Sequence, residues 1–138
     1  MHSKPKISIG MPIYNGGLSL EQTLPLILNQ EFQDFELIIS DDCSTDNTQE
    51  VCERYAGFDP RIKYYRQEKN FGMPVKNFRF VLSKAQGEFF MFASHDDPYK
   101  PEFITEMLKI MDFDPDCSLA FCCYNIKNAS GPEKIAIS

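Results

Sequence analysis

The stretch that decides the fold is FELIISDD, residues Phe35–Asp42, an apolar run that leads directly into two carboxylates. Its length and its β-branched residues are those of a strand, and the polar cluster Cys43–Asn47 that follows it is typical of a loop. The stretch ISIGMP, residues Ile7–Pro12, has β-branched residues at alternate positions and a proline at its end. Both stretches predict strands that deliver polar residues from their carboxyl ends.

Segments with helical spacing separate the predicted strands. Ser19 and Gln22 have the spacing of a capping box at a first helix, and Asp46 with Gln49 can cap a second. The predicted strands are Ile7–Pro12, Phe35–Ser40, Ile62–Arg66, Phe89–Ala93 and Ser118–Tyr124, and the predicted helices cover residues 20–30, Asp46–Tyr55 and the segments that begin at Pro74 and Pro101.

The alternation of strands and helices determines the fold class. Strands joined through helices imply right-handed crossovers and a mostly parallel sheet. We therefore predict an α/β protein, a three-layer α/β/α sandwich, in which Phe89–Ala93 is a fully buried strand. Ligands of such sheets bind beyond the carboxyl ends of the strands, where this sequence has Pro12–Asn15, Asp41–Asp42 and His95–Asp97.

Composition disfavours several classes of protein. The 138 residues include 20 acidic and 14 basic side chains, a net charge of −6, which argues against a nucleic-acid partner held by phosphate contacts. No apolar run reaches the roughly 18 residues of a membrane-spanning helix, and the first residues do not resemble a signal peptide. Five cysteines without C-x-x-C spacing indicate reduced thiols. We expect a cytoplasmic location, with attachment to the inner face of a membrane left open.

Because the sequence has no glycine-rich phosphate-binding loop, we expect phosphate binding to depend on a divalent cation held by carboxylates. The turn after the first strand matches neither G-x-G-x-x-G nor G-x-x-x-x-G-K-[ST]. A divalent cation, Mg²⁺ or Mn²⁺, bridges carboxylate and pyrophosphate oxygens, and Asp96 and Asp97 are the candidate ligands. On the residue pattern alone, capping of the helix that begins at Pro101 is an equal alternative for this pair.

Other residues near the strand ends are candidates for nucleotide binding. Asp41 and Asp42 can accept a hydrogen bond from a base or a ribose hydroxyl, or cap the second helix locally. Tyr14 has a flat face suited to stacking on a base, with ordinary packing as the alternative. Lys76 can reach a phosphate or lie on a solvated helix face, and His95 is interpreted as a structural residue rather than a catalyst.

The ordered motifs resemble those of the family 2 glycosyltransferases of GT-A fold. The resemblance is carried by Ile7–Asn15, Phe35–Thr48, Asn70–Gly72, and Gly87–Phe89 leading to His95–Asp97. It spans nearly the whole chain. It implies a nucleotide-sugar donor, usually a uridine diphosphate sugar, a divalent metal, a saccharide or lipid-linked acceptor, transfer with inversion, and a place in cell-surface polysaccharide biosynthesis.

The resemblance also implies roles for single residues, matched motif by motif. Asp42 and Tyr14 match positions that hold the base, and Lys76 matches a basic position near the base or the phosphates. Asp97 matches the direct metal ligand of the D-x-D region. The implied nucleotide-binding residues are Pro12, Tyr14, Asp42, Lys76 and Asp96, and the implied metal ligands are Asp97 and Asp96.

The sequence departs from the family pattern at two positions and leaves two roles without a match. Cys43 replaces a frequent glycine, and His95 occupies the place of the first aspartate of a full D-x-D. The general base and the acceptor-binding half are unmatched, so we expect residues 1–138 to be the nucleotide-sugar-binding part of a longer domain, inactive alone. The alternative is a non-catalytic nucleotide- or carbohydrate-binding module of the same fold. A metal-independent nucleotidyltransferase is disfavoured by the missing glycine- and lysine-rich loop.

Overall fold

The computed structural model describes residues 4–114, 116–120, 124–126 and 134–136. The chain divides into two compact units, Met1–Pro101 and Glu102–Ser138. The elements of the first unit are β1 (Ile7–Ile13), α1 (Gly17–Leu28), β2 (Phe35–Asp41), α2 (Thr48–Phe58), β3 (Ile62–Arg66), α3 (Pro74–Lys84) and β4 (Phe89–Phe92). Those of the second are α4 (Phe103–Phe113), β5 (Tyr124–Ile126) and β6 (Lys134–Ala136).

The first unit is built on a parallel sheet in the order β3-β2-β1-β4. The two central strands are buried at nearly every position because helices cover both of their faces. In the register of β1 with β2, Ile7 lies opposite Phe35 and Ile13 lies opposite Asp41. The two strands therefore end at the same level, and the loops that begin at Tyr14 and Asp42 leave the sheet side by side.

The direction of the crossovers places helices on opposite faces of the sheet. The chain passes from β1 to β2 to β3 in one direction and then returns to β4 on the other side of β1. Right-handed crossovers therefore put α1 and α2 on one face and α3 on the other. On the α3 face, a β-carbon at Gly10 would lie 2.9 Å from Cγ2 of Val81, so glycine allows close packing of this helix. The predicted three-layer α/β/α architecture is confirmed.

Helix α1 begins three residues earlier than predicted, and the predicted capping box was wrong. Ser19 lies inside the helix, where its hydroxyl bonds to the carbonyl oxygen of Gly16 at 3.0 Å. The N–H of Gly16 donates to Oγ1 of Thr48 at 3.0 Å, and that of Gly17 donates to Oδ2 of Asp46 at 3.1 Å. The acceptors belong to the loop before α2, so no local pattern in the sequence reveals them.

Asp46 also stabilises the start of α2, although Asn47 is the residue at the N-cap position. Its Oδ1 accepts hydrogen bonds from the backbone N–H of Thr48 at 3.0 Å and from the hydroxyl of Thr48 at 2.5 Å. Burial alone would raise the pKa of Asp46, but the hydrogen bonds from Thr48 and Gly17 outweigh it, and the pKa lies below its ordinary value. One carboxylate thus joins the starts of α1 and α2.

Strand β4 is not fully buried, contrary to the prediction. Within the described sheet it lies at the edge, with β1 as its neighbour, and its four residues are half-buried or exposed. Phe92 is 47% exposed and packs against Phe78 of α3, with ring centroids 5.1 Å apart. The aromatic content of the strand was therefore a misleading signal of burial.

The second unit differs from its prediction at both ends. Helix α4 begins at Phe103, two residues after the predicted start at Pro101, and the side chain of Glu102 at the N-cap position makes no capping hydrogen bond. The predicted strand Ser118–Tyr124 is not formed over residues 118–120, and residues 121–123 lie outside the described part. Strand β5 begins at Tyr124 and pairs antiparallel with β6, in a sheet of their own.

Candidate functional site

A cleft of about 250 Å³ opens at the carboxyl end of the parallel sheet. Its lining comes from the end of β1, the loop after β2, the turn before α3 and the first turns of α3. Three predicted nucleotide-binding residues meet there, although the loops that carry them are far apart in sequence. The lining residues are Pro12, Ile13, Tyr14, Asp42, Asn70, Gly72, Met73, Pro74, Asn77 and Phe78.

The apolar part of the lining includes a partly exposed aromatic ring. Tyr14 follows directly after β1 and is 49% exposed. Met73, Pro74 and Phe78 contribute apolar surface from the side of α3. A cleft with apolar walls and few polar groups is the usual form of a small-molecule site, and an accessible aromatic face suits a planar ligand such as a nucleobase.

Asp42 is the carboxylate of the cleft. Its Oδ1 accepts the backbone N–H of Phe71 at 2.7 Å, and its backbone oxygen accepts a hydrogen bond from Nδ2 of Asn70 at 3.0 Å. The turn after Asn70 is closed by the N–H of Gly72, which has a φ of 70° and donates to Oδ1 of Asn70 at 2.7 Å. The second carboxylate oxygen, Oδ2, has no hydrogen-bond partner among the described residues and is available to a ligand.

Asp41 has a different environment from its neighbour. It is fully buried, and its Oδ2 accepts hydrogen bonds from the hydroxyl of Tyr64 at 2.9 Å and from the guanidinium of Arg66 at 2.6 Å. Burial and the hydrogen bond to Asp41 raise the pKa of Tyr64, so this phenol stays protonated. Asp41 is therefore occupied by the protein itself, and the ligand-binding alternative remains for Asp42.

The structure adds Asn77 to the cleft, a residue that the sequence analysis did not single out. It is buried, and its amide joins the two central strands by donating to the carbonyl oxygens of Ser40 at 2.8 Å and Ile13 at 3.4 Å. Its Oδ1 accepts the hydroxyl of Ser40 at 2.5 Å, and Gln67 donates to the same hydroxyl at 2.9 Å. The available signal was an amide four residues before Val81, on the buried face of α3.

Lys76 lies outside the set of described residues that line the cleft. It is on the first turn of α3, exposed, with its Nζ 3.5 Å from the carbonyl oxygen of Phe71. The ammonium group is thus close to the turn that Asp42 holds. Both alternatives for Lys76, a phosphate contact and a solvated helix face, are compatible with this position.

Asp96 and Asp97 follow β4 and are both exposed. The hydroxyl of Ser94 donates to Oδ1 of Asp96, and this bond, together with the nearby charge of His95, lowers the pKa of Asp96. The side chain of Glu102, at the N-cap position of α4, makes no capping hydrogen bond. Capping and cation binding both stay predictions for Asp96 and Asp97.

The ring of His95 is held by a hydrogen bond and by close packing against the start of α1. Its Nδ1 lies 2.7 Å from the hydroxyl oxygen of Ser19. The ring also packs closely on Gly16, where an added β-carbon would lie only 2.7 Å from the same Nδ1. The hydroxyl of Ser19 also bonds to the carbonyl oxygen of Gly16, so it donates there and accepts from Nδ1–H of His95. These contacts support the structural interpretation of this histidine.

The donor set of the β4 loop fits a hard divalent cation. No cluster of three or more acidic, histidine or cysteine side chains suited to a metal occurs in the part of the chain that the structure describes. Two exposed carboxylates are nevertheless the usual protein contribution to a Mg²⁺ or Mn²⁺ site that is completed by water and phosphate oxygens. Asp96 and Asp97 are the residues that would hold such an ion.

The described cysteines, Cys43, Cys52 and Cys117, are free thiols, and burial raises the pKa of Cys52 to about 12. Among the helices within the described ranges, none combines the length and apolar character that crossing a membrane demands.

Comparison with known sequences identifies a family. Residues 8–136 match the model of Glycosyl transferase family 2. The chain is 33% identical over 128 residues to the putative teichuronic acid biosynthesis glycosyltransferase TuaG of Bacillus subtilis, a match that covers 93% of this chain and 50% of TuaG. It is 39% identical over 93 residues to the GalNAc(5)-diNAcBac-PP-undecaprenol beta-1,3-glucosyltransferase of Campylobacter jejuni, covering 67% of this chain and 30% of that enzyme. The chain thus spans half or less of the length of these relatives.

Solved structures show the same fold. TarS 1–349 of Staphylococcus aureus in complex with UDP-GlcNAc superposes with a TM-score of 0.72 at 32% identity, covering 78% of this chain and 31% of TarS. The mannosyltransferase PcManGT of Pyrobaculum calidifontis, in complex with GDP-Man and Mn²⁺, gives a TM-score of 0.73 at 22% identity, covering 82% and 34%. The first unit is therefore of GT-A type. With the family match over nearly its whole length, the chain belongs to glycosyl transferase family 2.

Proposed function

We propose that this chain is the donor-binding part of a glycosyltransferase and that its cleft holds the nucleoside of a uridine diphosphate sugar. The observation that carries the proposal is the available Oδ2 of Asp42, on a carboxylate whose other oxygen is held by Phe71 inside the cleft. The relative TarS, 32% identical, has been solved with UDP-GlcNAc, which supports a uridine donor.

The chemistry of uracil fits a carboxylate acceptor. Uracil presents an N3–H donor between two carbonyl oxygens, whereas cytosine has a lone pair at N3 that a carboxylate repels. Asp42 accepts this N–H, or a ribose hydroxyl, while Tyr14 stacks on the base and Pro12 packs at its edge. A charge-assisted bond of this kind is stronger than a neutral one, so Asp42 contributes both affinity and base selectivity.

The diphosphate of the donor needs positive charge nearby. Although the chain is acidic, a lysine and a bound cation would provide this charge at the site. The exposed ammonium of Lys76 lies near the turn that Asp42 holds and pairs with a phosphate in this proposal. Asp96 and Asp97 are the residues that would hold a divalent cation, which would supply positive charge to the diphosphate of the departing nucleotide. The protein thus separates recognition of the base, at Asp42, from binding of the diphosphate, at the loop after β4.

The reaction that we assign is transfer of the sugar to an acceptor hydroxyl with inversion. The relatives are two to three times as long as the matched segment, which supports a longer enzyme whose other part binds the acceptor and supplies the general base. The acceptor that we assign is saccharide or lipid-linked, in cell-surface polysaccharide biosynthesis. TuaG is named for teichuronic acid biosynthesis, TarS for poly(ribitol-phosphate), and the Campylobacter jejuni relative for an undecaprenol-linked acceptor.

Calorimetry with UDP tests the donor site. Asp42→Asn keeps an oxygen for the N–H of Phe71 but presents an amide to uracil, so we expect Kd to rise about 10–100-fold while the melting temperature changes little. Glu53→Gln, which removes an exposed carboxylate on α2, is the control and leaves Kd unchanged. Kd values for UDP that Asp42→Asn does not alter would contradict the role of Asp42.

The same titrations test the cation. UDP binding in Mn²⁺ is expected to weaken at least tenfold when excess chelator is added, and Asp97→Asn is expected to remove that difference. Equal affinity for UDP with Mn²⁺ and with chelator would exclude Asp96 and Asp97 as metal ligands that matter for binding. Equal affinity for UDP, CDP and GDP would show that the cleft does not select uracil.

A further inference from the structure

We propose that Asp41, Ser44 and Arg66 form a positioning cluster that fixes Tyr14 in the cleft. The three residues are absent from the lining of the cleft, so they act through others. The inference rests on the proposed function, because the residue that they position is the one proposed to stack on the base.

Asp41 anchors the cluster in the protein interior. Its carboxylate is completely buried and receives hydrogen bonds from three directions. Oδ2 accepts from Tyr64 at 2.9 Å and from Arg66 at 2.6 Å, both on β3, and Oδ1 accepts the backbone N–H of Ser44 at 2.8 Å. A carboxylate held by three donors has one orientation, and that orientation sets the start of the loop after β2.

Ser44 transmits the constraint to the loop after β1. Its carbonyl oxygen accepts a hydrogen bond from Arg66 at 2.8 Å, so both of its backbone polar groups have fixed partners. Its hydroxyl oxygen accepts the backbone N–H of Asn15 at 2.9 Å, and the side chain is buried. The cluster therefore ends on the residue that follows Tyr14.

Asn15 shows why this contact determines the position of Tyr14. Its φ is 52°, in the left-handed region, which costs free energy for a residue with a β-carbon. Its Oδ1 accepts the N–H of Thr45 at 2.8 Å, so two hydrogen bonds hold it in this conformation. Because the N–H of Asn15 lies in the rigid peptide plane shared with Tyr14, fixing that N–H fixes the backbone from which the ring of Tyr14 projects.

A double-mutant cycle on the whole chain distinguishes positioning from general stabilisation. UDP with Mn²⁺ is the probe, and Kd is measured for wild type, Ser44→Ala, Tyr14→Ala and the double variant. We expect Ser44→Ala to raise Kd five- to tenfold when Tyr14 is present and less than twofold when Tyr14 is alanine. Ser83→Ala, which removes an exposed hydroxyl on α3, is the matched control and leaves Kd unchanged.

Each outcome decides the inference. A Ser44→Ala effect below twofold, or one of equal size in both backgrounds, overturns it. Arg66→Ala, which removes the hydrogen bonds to Asp41 and to the carbonyl oxygen of Ser44, provides the same cycle should Ser44→Ala fail to fold, and the same result is expected. Loss of UDP binding by the wild-type chain would overturn the proposed function and this inference together, whereas a folded wild type that binds UDP isolates the test of the cluster.

Discussion

Adjacent residues can have opposite roles when a strand ends between them. Asp41 is the last residue of β2 and is surrounded by donors from β3, whereas Asp42 is the first loop residue and lines the cleft. The sequence shows two acidic residues after an apolar run and cannot separate them, because the donors Tyr64 and Arg66 lie more than twenty positions away. The resemblance to the family selected Asp42, and the structure supplies the physical reason that Asp41 is occupied.

Cys43 carries a conformational cost that glycine would avoid. Its φ is 61°, and its thiol makes one weak contact, 3.9 Å from the carbonyl oxygen of Glu68. We predict that Cys43→Gly raises the free energy of unfolding by about 1 kcal/mol. A β-carbon in the left-handed region costs about 1–2 kcal/mol, and the larger conformational entropy that glycine loses on folding offsets part of the gain from removing it. Urea denaturation measures the change.

The control for this prediction is Cys43→Ala, which removes the thiol and keeps the β-carbon. It is expected to leave the free energy of unfolding within about 0.5 kcal/mol of wild type. Stabilisation by alanine equal to that by glycine would show that the thiol, and not the backbone conformation, is unfavourable.

At the scale of the elements, periodicity predicted the two central strands well, but not the start of the first helix or the burial of the edge strand. The central strands β1 and β2 were found within one residue of their predicted limits because alternating and continuous apolar patterns are local. The start of α1 was wrong because Gly16 and Gly17 are capped from the loop before α2. Burial of β4 was wrong because its place at the edge of the described sheet depends on strand order.

Glu36 joins three strands and the loop between α3 and β4, at the opposite end of the sheet from the cleft. It is buried on β2, and it accepts hydrogen bonds from Ser8 at 2.5 Å, Lys63 at 2.6 Å and the N–H of Gln86 at 2.8 Å. Burial alone would raise the pKa of Glu36, but these hydrogen bonds, with the charge of Lys63, bring it below the ordinary value of 4.5. The ionised form is therefore bound more favourably in the folded state than in the unfolded state.

We predict a pH-dependent loss of stability through Glu36. Because its folded pKa is below its unfolded pKa, its contribution is complete above the unfolded value and is lost as pH falls through the folded pKa. Urea denaturation from pH 7 to pH 3 measures the difference in free energy of unfolding between wild type and Glu36→Gln. This difference is expected to be constant near neutrality and to shrink below pH 4.5.

An exposed carboxylate provides the comparison for this titration. Glu88 pairs with Lys6 at 3.0 Å and its side chain is 62% exposed, so Glu88→Gln is expected to change stability little at any pH. A wild-type advantage over Glu36→Gln that stays the same down to pH 3 would show that the ionised form of Glu36 is not preferred by the fold.

At the scale of the whole molecule, the location of the cleft could be predicted from the sequence, whereas the hydrogen bonds among the residues around it could not. Parallel strands bring their carboxyl ends to one edge, so the meeting of Pro12, Tyr14 and Asp42 follows from the predicted topology. The buried residue Asn77 and the cluster of Asp41 with Arg66 depend on partners brought together by tertiary packing. Their roles are invisible to periodicity and to motif spacing.

In the proposed enzyme, this chain binds the donor and another part binds the acceptor and supplies the general base. We therefore predict that residues 1–138 bind a UDP-sugar but do not transfer the sugar to an acceptor. Inverting displacement needs a base that takes the proton of the acceptor hydroxyl and a surface that positions this hydroxyl on the face of the sugar opposite the leaving diphosphate. His95, the histidine of the described residues, follows β4 together with Asp96 and Asp97, on the side that we assign to the diphosphate, and its Nδ1 lies 2.7 Å from the hydroxyl of Ser19.

Radiolabelled UDP-sugar, incubated with the chain and a panel of saccharide and lipid-linked acceptors, measures transfer directly, with release of free sugar by water scored separately. We expect donor binding by calorimetry, slow release of free sugar and no acceptor-dependent product. Transfer that requires an acceptor and is abolished by His95→Ala would instead make His95 the base, because a ring nitrogen of neutral imidazole can accept the hydroxyl proton.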